Sequence, residues 1–70
     1  MIKIEKHETL GKNFGIEPKD EKFYAYRGWN TITNKVYGCI AKKSKVDEDP
    51  IFAKRVIERI KYKLNHKEEQ

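Results

Sequence analysis

Between residues 22 and 45 the chain sets flat rings beside cations. Tyr24, Tyr26, Arg27, Trp29, Tyr37, Lys42, Lys43 and Lys45 all fall within "KFYAYRGWNTITNKVYGCIAKKSK", which holds three of the four tyrosines and the single tryptophan and cysteine. Rings next to cations make a surface on which nucleobases stack while guanidinium or ammonium groups hold phosphate, with stacking contributing about 1–3 kcal/mol per base. A second group, Arg55, Arg59, Tyr62 and His66, recurs at helical spacing with Lys54 and Lys61 beside it. On a helix these residues form one row pointing away from the core, able to follow a phosphate backbone or enter a groove. Lys42, Lys43 and Lys45 add flexible cations suited either to phosphate contacts or to guarding a sheet edge. Each feature also has a plainer explanation: rings fill small cores, tyrosine snorkels its hydroxyl to water, and charged helix faces are solvated.

Catalytic chemistry finds little foothold. A nucleophile needs a partnered base, and Cys39, in the middle of a β-prone run, reads as a small buried hydrophobe. His7 and His66 stand near opposite ends without metal-ligand spacing to Cys39. Asp47, Glu48 and Asp49 precede Pro50 and read as helix capping rather than paired catalytic carboxylates. Gly11 and Gly15 are followed by neither the lysine–serine pair nor the helix of a phosphate loop. No enzyme activity, metal or cofactor is expected.

These residues must be positioned by short elements. The alternation of "IKIEK", residues 2 to 6, predicts a half-buried first strand. "GKNFGIEPKDEK", residues 11 to 22, predicts a loop pinned by Phe14 and Ile16. "FYAYRGW", residues 23 to 29, and "KVYGCIAK", residues 35 to 42, predict an antiparallel hairpin, with Asn30 and Asn34 tolerating turn dihedrals and Gly28 able to bulge or bend the strand. Alternation places Phe23, Ala25, Arg27 and Trp29 on one face and Tyr24, Tyr26 and Asn30 on the other. Whichever face a helix leaves open shows either Tyr24, Tyr26, Tyr37 and Cys39 or Arg27, Trp29 and Lys42.

Residues 49 to 66 predict a helix. Asp49 suits the N-cap and Pro50 the first turn, with Asp47 and Glu48 near the positive end of the dipole. Phe52, Ala53, Val56, Ile57, Ile60 and Leu64 fall in one apolar stripe. Lys67 favours the helix end and Glu68 and Glu69 oppose it, so the tail over 68–70 is expected to fray. The sum is one small α+β domain over residues 1–67, a three-stranded antiparallel sheet packed against one C-terminal helix. A small SH3-like or partly open barrel with a C-terminal helix is the alternative if the loop hides further strands.

Composition narrows the partner. With 37% hydrophobic and 39% charged residues in a 70-residue chain, there is material for one modest core. The net charge of +5 is concentrated: residues 51 to 67 carry six basic side chains and one acidic. Such a segment suggests an anionic partner. A lone cysteine, no signal-like apolar run and no stretch near the roughly 20 apolar residues of a membrane span predict a soluble cytoplasmic protein that does not enter membranes.

Two stretches resemble known families. "TNKVYG", residues 33 to 38, resembles the hairpin of GIY-YIG nucleases. Tyr24, Ala25 and Tyr26 stand where the Gly-Ile-Tyr triplet would be, and no later catalytic carboxylate can be placed, so nuclease activity is not expected. "FYAYR", a turn, "KVYG" and a helix are similar to the arm-DNA-binding domain of phage-type tyrosine recombinases, in which a three-stranded sheet packed on a helix docks into a duplex groove. That resemblance implies an architecture compatible with DNA and assigns no residue a role.

The leading expectation is a small non-enzymatic nucleic-acid-binding accessory or regulatory protein of a bacterial, phage or archaeal element, with DNA placed ahead of RNA. Its binding groups would be Arg27, Trp29, Lys42, Lys43, Lys45, Arg55, Arg59 and Tyr62. The rival is a protein-binding inhibitor or adaptor that uses the same rings and arginines as interface anchors. Either would act as a monomer or homodimer.

Overall fold

A computed structural model describes residues 1–65 of the chain. His66, Lys67, Glu68 and Glu69, and with them the expected fraying over 68–70, lie outside the described residues. Strands β1 (Ile2–Leu10), β2 (Lys22–Asn30) and β3 (Val36–Lys42) form an open antiparallel sheet in the order β1-β2-β3. Helices α1 (Lys43–Glu48) and α2 (Pro50–Asn65) follow. The architecture is the expected small α+β fold, with two C-terminal helices in place of one.

The apolar stripe of α2 lies on the sheet as its spacing requires. Ile60 and Leu64 are 0% and 2% exposed, and they join Tyr26, Ala41 and Val46 in the core, flanked by Phe52, Ala53, Val56 and Ile57. The helix starts where capping chemistry places it: Asp49 Oδ1 accepts hydrogen bonds from the backbone N–H groups of Ile51 and Phe52, both at 3.1 Å. Asp47 and Glu48 do not share this role, because they belong to α1. That short helix escapes periodicity, having one buried side chain, Val46, among charged neighbours.

The sheet differs from its sequence reading in two ways. β1 runs four residues beyond Lys6, since backbone pairing with β2 continues through His7, Glu8, Thr9 and Leu10 although their side chains no longer alternate. Residues 11 to 21 hold a 3₁₀ turn at Gly11–Phe14 and no strand, so the barrel alternative does not hold. This loop is pinned by its backbone rather than by Phe14: Gly11 N–H donates to Glu21 O at 2.8 Å and Ile16 N–H to Gly11 O at 3.0 Å, while Phe14 is 47% exposed. Buried Gly11 lets the loop close over the Phe23 ring.

Gly28 makes no bulge; its pairing with Ile4 and Tyr37 is regular. It is the seat of α2 on the sheet. A Cβ there would lie 2.8 Å from Ile60 Cγ2 and 3.0 Å from Leu64 Cδ1. Asn30, buried at the end of β2, accepts at Oδ1 from the N–H groups of Ile32 and Thr33 (2.9 and 3.3 Å) and donates through Nδ2 to Leu64 O (3.4 Å). Asn34 takes the positive φ of 65° that turns the hairpin.

A polar clamp joins α1 to the sheet. Lys43 Nζ donates to Asp47 Oδ2 at 2.6 Å, Tyr24 OH donates to Asp47 Oδ1 at 3.0 Å, and the ammonium groups of Lys6 and Lys43 lie 4.3 and 5.3 Å from the Tyr24 ring centroid. The hydrogen bond from Lys43 holds the Asp47 carboxyl below its ordinary 3.8, and the bond to Asp47 pushes Lys43 from 10.5 up to about 12.

Two outcomes are expected. In an uncrowded strand, replacing glycine with alanine stabilises by roughly 0.5–1 kcal/mol. Gly28→Ala should instead destabilise by about 1–3 kcal/mol in urea melts, because Ile60 and Leu64 have nowhere to move. The clamp's contribution is complete above the unfolded Asp47 value of 3.8 and below the unfolded Lys43 value of 10.5. It is lost as pH falls through the lowered Asp47 value or rises through about 12. Asp47→Asn should therefore lower Tm at about pH 7, with the gap from the parent chain narrowing as pH falls through the lowered Asp47 value; a gap that does not change with pH would remove the charge from the clamp's role.

Candidate nucleic-acid interface

With α2 covering the face of Ile4, Tyr26, Gly28, Cys39 and Ala41, strand alternation turns the other set outward. The open face carries Lys3, Glu5 and His7 from β1, Ala25, Arg27 and Trp29 from β2, and Val36, Gly38, Ile40 and Lys42 from β3. Register places Lys3 and Val36 on either side of Trp29, and Glu5 and Gly38 on either side of Arg27. Of the two sets between which the sequence leaves the choice, the structure exposes that of Arg27, Trp29 and Lys42.

The Arg27 guanidinium lies 5.9 Å from the Trp29 ring centroid, within the range of a cation–π contact. Together with Glu5, Asn34 and Val36 they line a shallow hollow of about 410 Å³. The indole is half-buried, so one part packs and the rest meets solvent. No carboxylate pairs with Arg27 among the described residues, although Glu5 stands opposite it in register. The hollow thus combines a ring for stacking, a guanidinium for an anion, and carboxylate and amide groups able to hydrogen-bond a base edge. An adjoining, mainly apolar hollow of about 500 Å³ is lined by Phe14, Ala25, Val36, Gly38 and Ile40, with Arg27 shared between the two.

The remaining residues expected in the site are distributed elsewhere. Lys42 is exposed on the open face but at the end opposite Trp29, beside Phe23. Lys43 is engaged by Asp47 and Tyr24, and the Lys45 ammonium lies 5.2 Å from the Phe52 ring. Arg55 and Arg59 are exposed without a carboxylate partner among the described residues. Rather than pointing directly away from the core, they line a groove of about 460 Å³ with Cys39, Ile40, Ala41, Phe52 and Val56, along the outer side of β3. Tyr62 is exposed further along α2, and His66, the last of the row, lies outside the described residues. The structure therefore brings Arg27 and Trp29 together and sets the helix arginines on a different surface. Lys3, Glu5 and Asn34 join the first pair; the alternation of "IKIEK" hinted at the first two, but nothing local says which strand lies beside β2.

Cys39 lacks the surroundings of an activated nucleophile. Burial pushes its thiol up, and the nearby positive charge of Arg59 offsets this only in part. Among the described residues no group of three or more histidines, cysteines, aspartates or glutamates is placed to hold a metal, and no helix is long and apolar enough to cross a membrane. No protein-family model, curated protein or solved structure matches the chain.

The rate of Cys39 alkylation by iodoacetamide should rise with a midpoint above the ordinary thiol range, and Arg59→Ala should move that midpoint higher. A midpoint below that range would contradict the burial described here.

Proposed function

We propose that the chain is a non-enzymatic nucleic-acid-binding module that takes a single strand across the open face of its sheet. The observation that carries this reading is the pairing of Arg27 with Trp29 on a face no helix covers. An indole stacks only on a base that is itself unstacked, which favours a single strand over a closed duplex. In this arrangement a base lies against Trp29, with Glu5 and Asn34 at its edge, and phosphates meet Arg27, Lys3 and Lys42. A regulatory or accessory role fits a surface that binds and holds without reacting.

Protein binding is the second reading, and the apolar hollow of Phe14, Ala25, Val36 and Ile40 favours it. Salt separates the two, since a largely apolar protein contact barely responds to ionic strength whereas phosphate contacts do.

Titrating Trp29 fluorescence with single-stranded DNA, its RNA counterpart and duplex DNA tests the proposal. Quenching is expected with single strands. Three phosphate contacts should weaken binding about 20-fold between 50 and 200 mM salt, and Arg27→Ala should flatten the log–log slope by about 0.7 with Tm unchanged. Trp29→Ala, followed by anisotropy of a labelled strand, should cost about 1–3 kcal/mol. Binding that ignores salt, or that survives loss of the indole intact, overturns the reading.

A further inference from the structure

β3 has a strand neighbour on one side only. In an antiparallel ladder every second residue turns its N–H and C=O away from the paired strand, so the outer edge of these seven residues presents a row of donors and acceptors that no strand among the described residues matches. What flanks that edge differs between its two sides. On the helix side, Arg55 and Arg59 overhang the groove floored by Ala41, Phe52 and Val56. On the open side are Val36, 62% exposed, and Ile40, which border the apolar hollow beneath Phe14. The groove and the hollow meet at Cys39 and Ile40, so the edge lies between a wall carrying two arginines and a mainly apolar one in which Arg27 is the one cation.

We infer that the β3 edge accepts an extended peptide segment of a partner protein as a fourth strand, one in which acidic and apolar side chains alternate. Side chains of an added strand project alternately to the two faces of the sheet. Those on the helix side meet two guanidinium groups that have no carboxylate partner among the described residues. Those on the open side cover Val36 and Ile40. Arg55 and Arg59 are one helical turn apart, about 6 Å along the axis, close to the roughly 6.6 Å between alternate residues of a strand, and both line the groove beside Cys39, Ile40 and Ala41. Carboxylates at positions i and i+2 of the incoming strand can therefore each face one arginine.

Charge also discriminates against other occupants. A second copy pairing antiparallel through β3 would bring Arg55 and Arg59 of both chains against one another, which is repulsive where the acidic segment is attractive. A nucleic-acid strand would satisfy the arginines but has no backbone amides to extend the ladder.

The test uses the whole chain, a seven-residue peptide alternating valine with glutamate, and amide hydrogen exchange read by NMR. At saturating peptide, the outward-facing amides of residues 36–42 should exchange at least tenfold more slowly. The same peptide N-methylated at alternate residues on its ladder-forming side should bind at least tenfold more weakly, as should a valine–lysine peptide. Arg55→Glu with Arg59→Glu, both at exposed positions, should reverse the preference between glutamate and lysine peptides while leaving Tm near that of the parent chain. The inference is overturned if the N-methylated peptide binds as well as its parent, if lysine and glutamate peptides bind alike, if single-stranded DNA gives the same β3 protection, or if sedimentation shows a dimer with β3 already protected. The peptide assay contains no nucleic acid, so its failure is separate from failure of the open-face reading.

Discussion

A three-stranded sheet has two faces, and this chain has one helix long enough to cover one of them. The contact that settles how it does so is the approach of Ile60 and Leu64 to Gly28, where the missing side chain lets α2 settle onto the middle of β2. Seated there, the helix seals Tyr26, Ala41 and Val46 into a core and leaves the opposite face open, apart from the end where the loop of residues 11–21 closes over Phe23. It also fixes where the flanks of α2 fall, which is why the exposed Arg55 and Arg59 line a groove beside β3. The surface chemistry of the molecule is the complement of that one packing decision.

Much of this was legible in local pattern. The stripe from Phe52 to Leu64 and the Asp49–Pro50 start are helical signals contained within a few turns, and the hairpin announces itself through β-prone runs around two asparagines. Less legible were features whose reasons lie in distant residues. His7, Glu8 and Thr9 break alternation, yet they extend β1 because the β2 backbone continues alongside them. Asp47 looks like a helix-capping group until Lys43 and Tyr24 are placed around it. Gly28 looks like a bend until the helix side chains above it are known.

The candidate site divides in the same way. That Arg27 and Trp29 share a face follows from strand alternation alone; that this face is the open one depends on Gly28 lying on the other. Glu5 and Asn34 could not be assigned to the hollow, nor Lys3 to the place beside Trp29, without strand order and register. Spacing sets Arg55, Arg59 and Tyr62 off the apolar stripe of α2, but it does not report the helix's crossing angle over a sheet, and the angle decides which strand the arginines flank.

Asn30 adds a hydrogen-bonded link between the hairpin and the end of α2, beside the packing of Leu64 at Gly28 and the approach of Lys63 to the Tyr37 ring. One end of its amide organises the hairpin tip and the other reaches the last turn of α2 at Leu64. A displacement of the tip therefore bears on the helix terminus through the Asn30 side chain, with no domain movement required. A hydrogen bond of this kind contributes about 0.5–1.5 kcal/mol, which limits the crosstalk it can carry to roughly a two- to twelvefold change in an equilibrium. The tip and the far end of the helix form a weakly geared pair: each can bias the other, and neither can dictate its state.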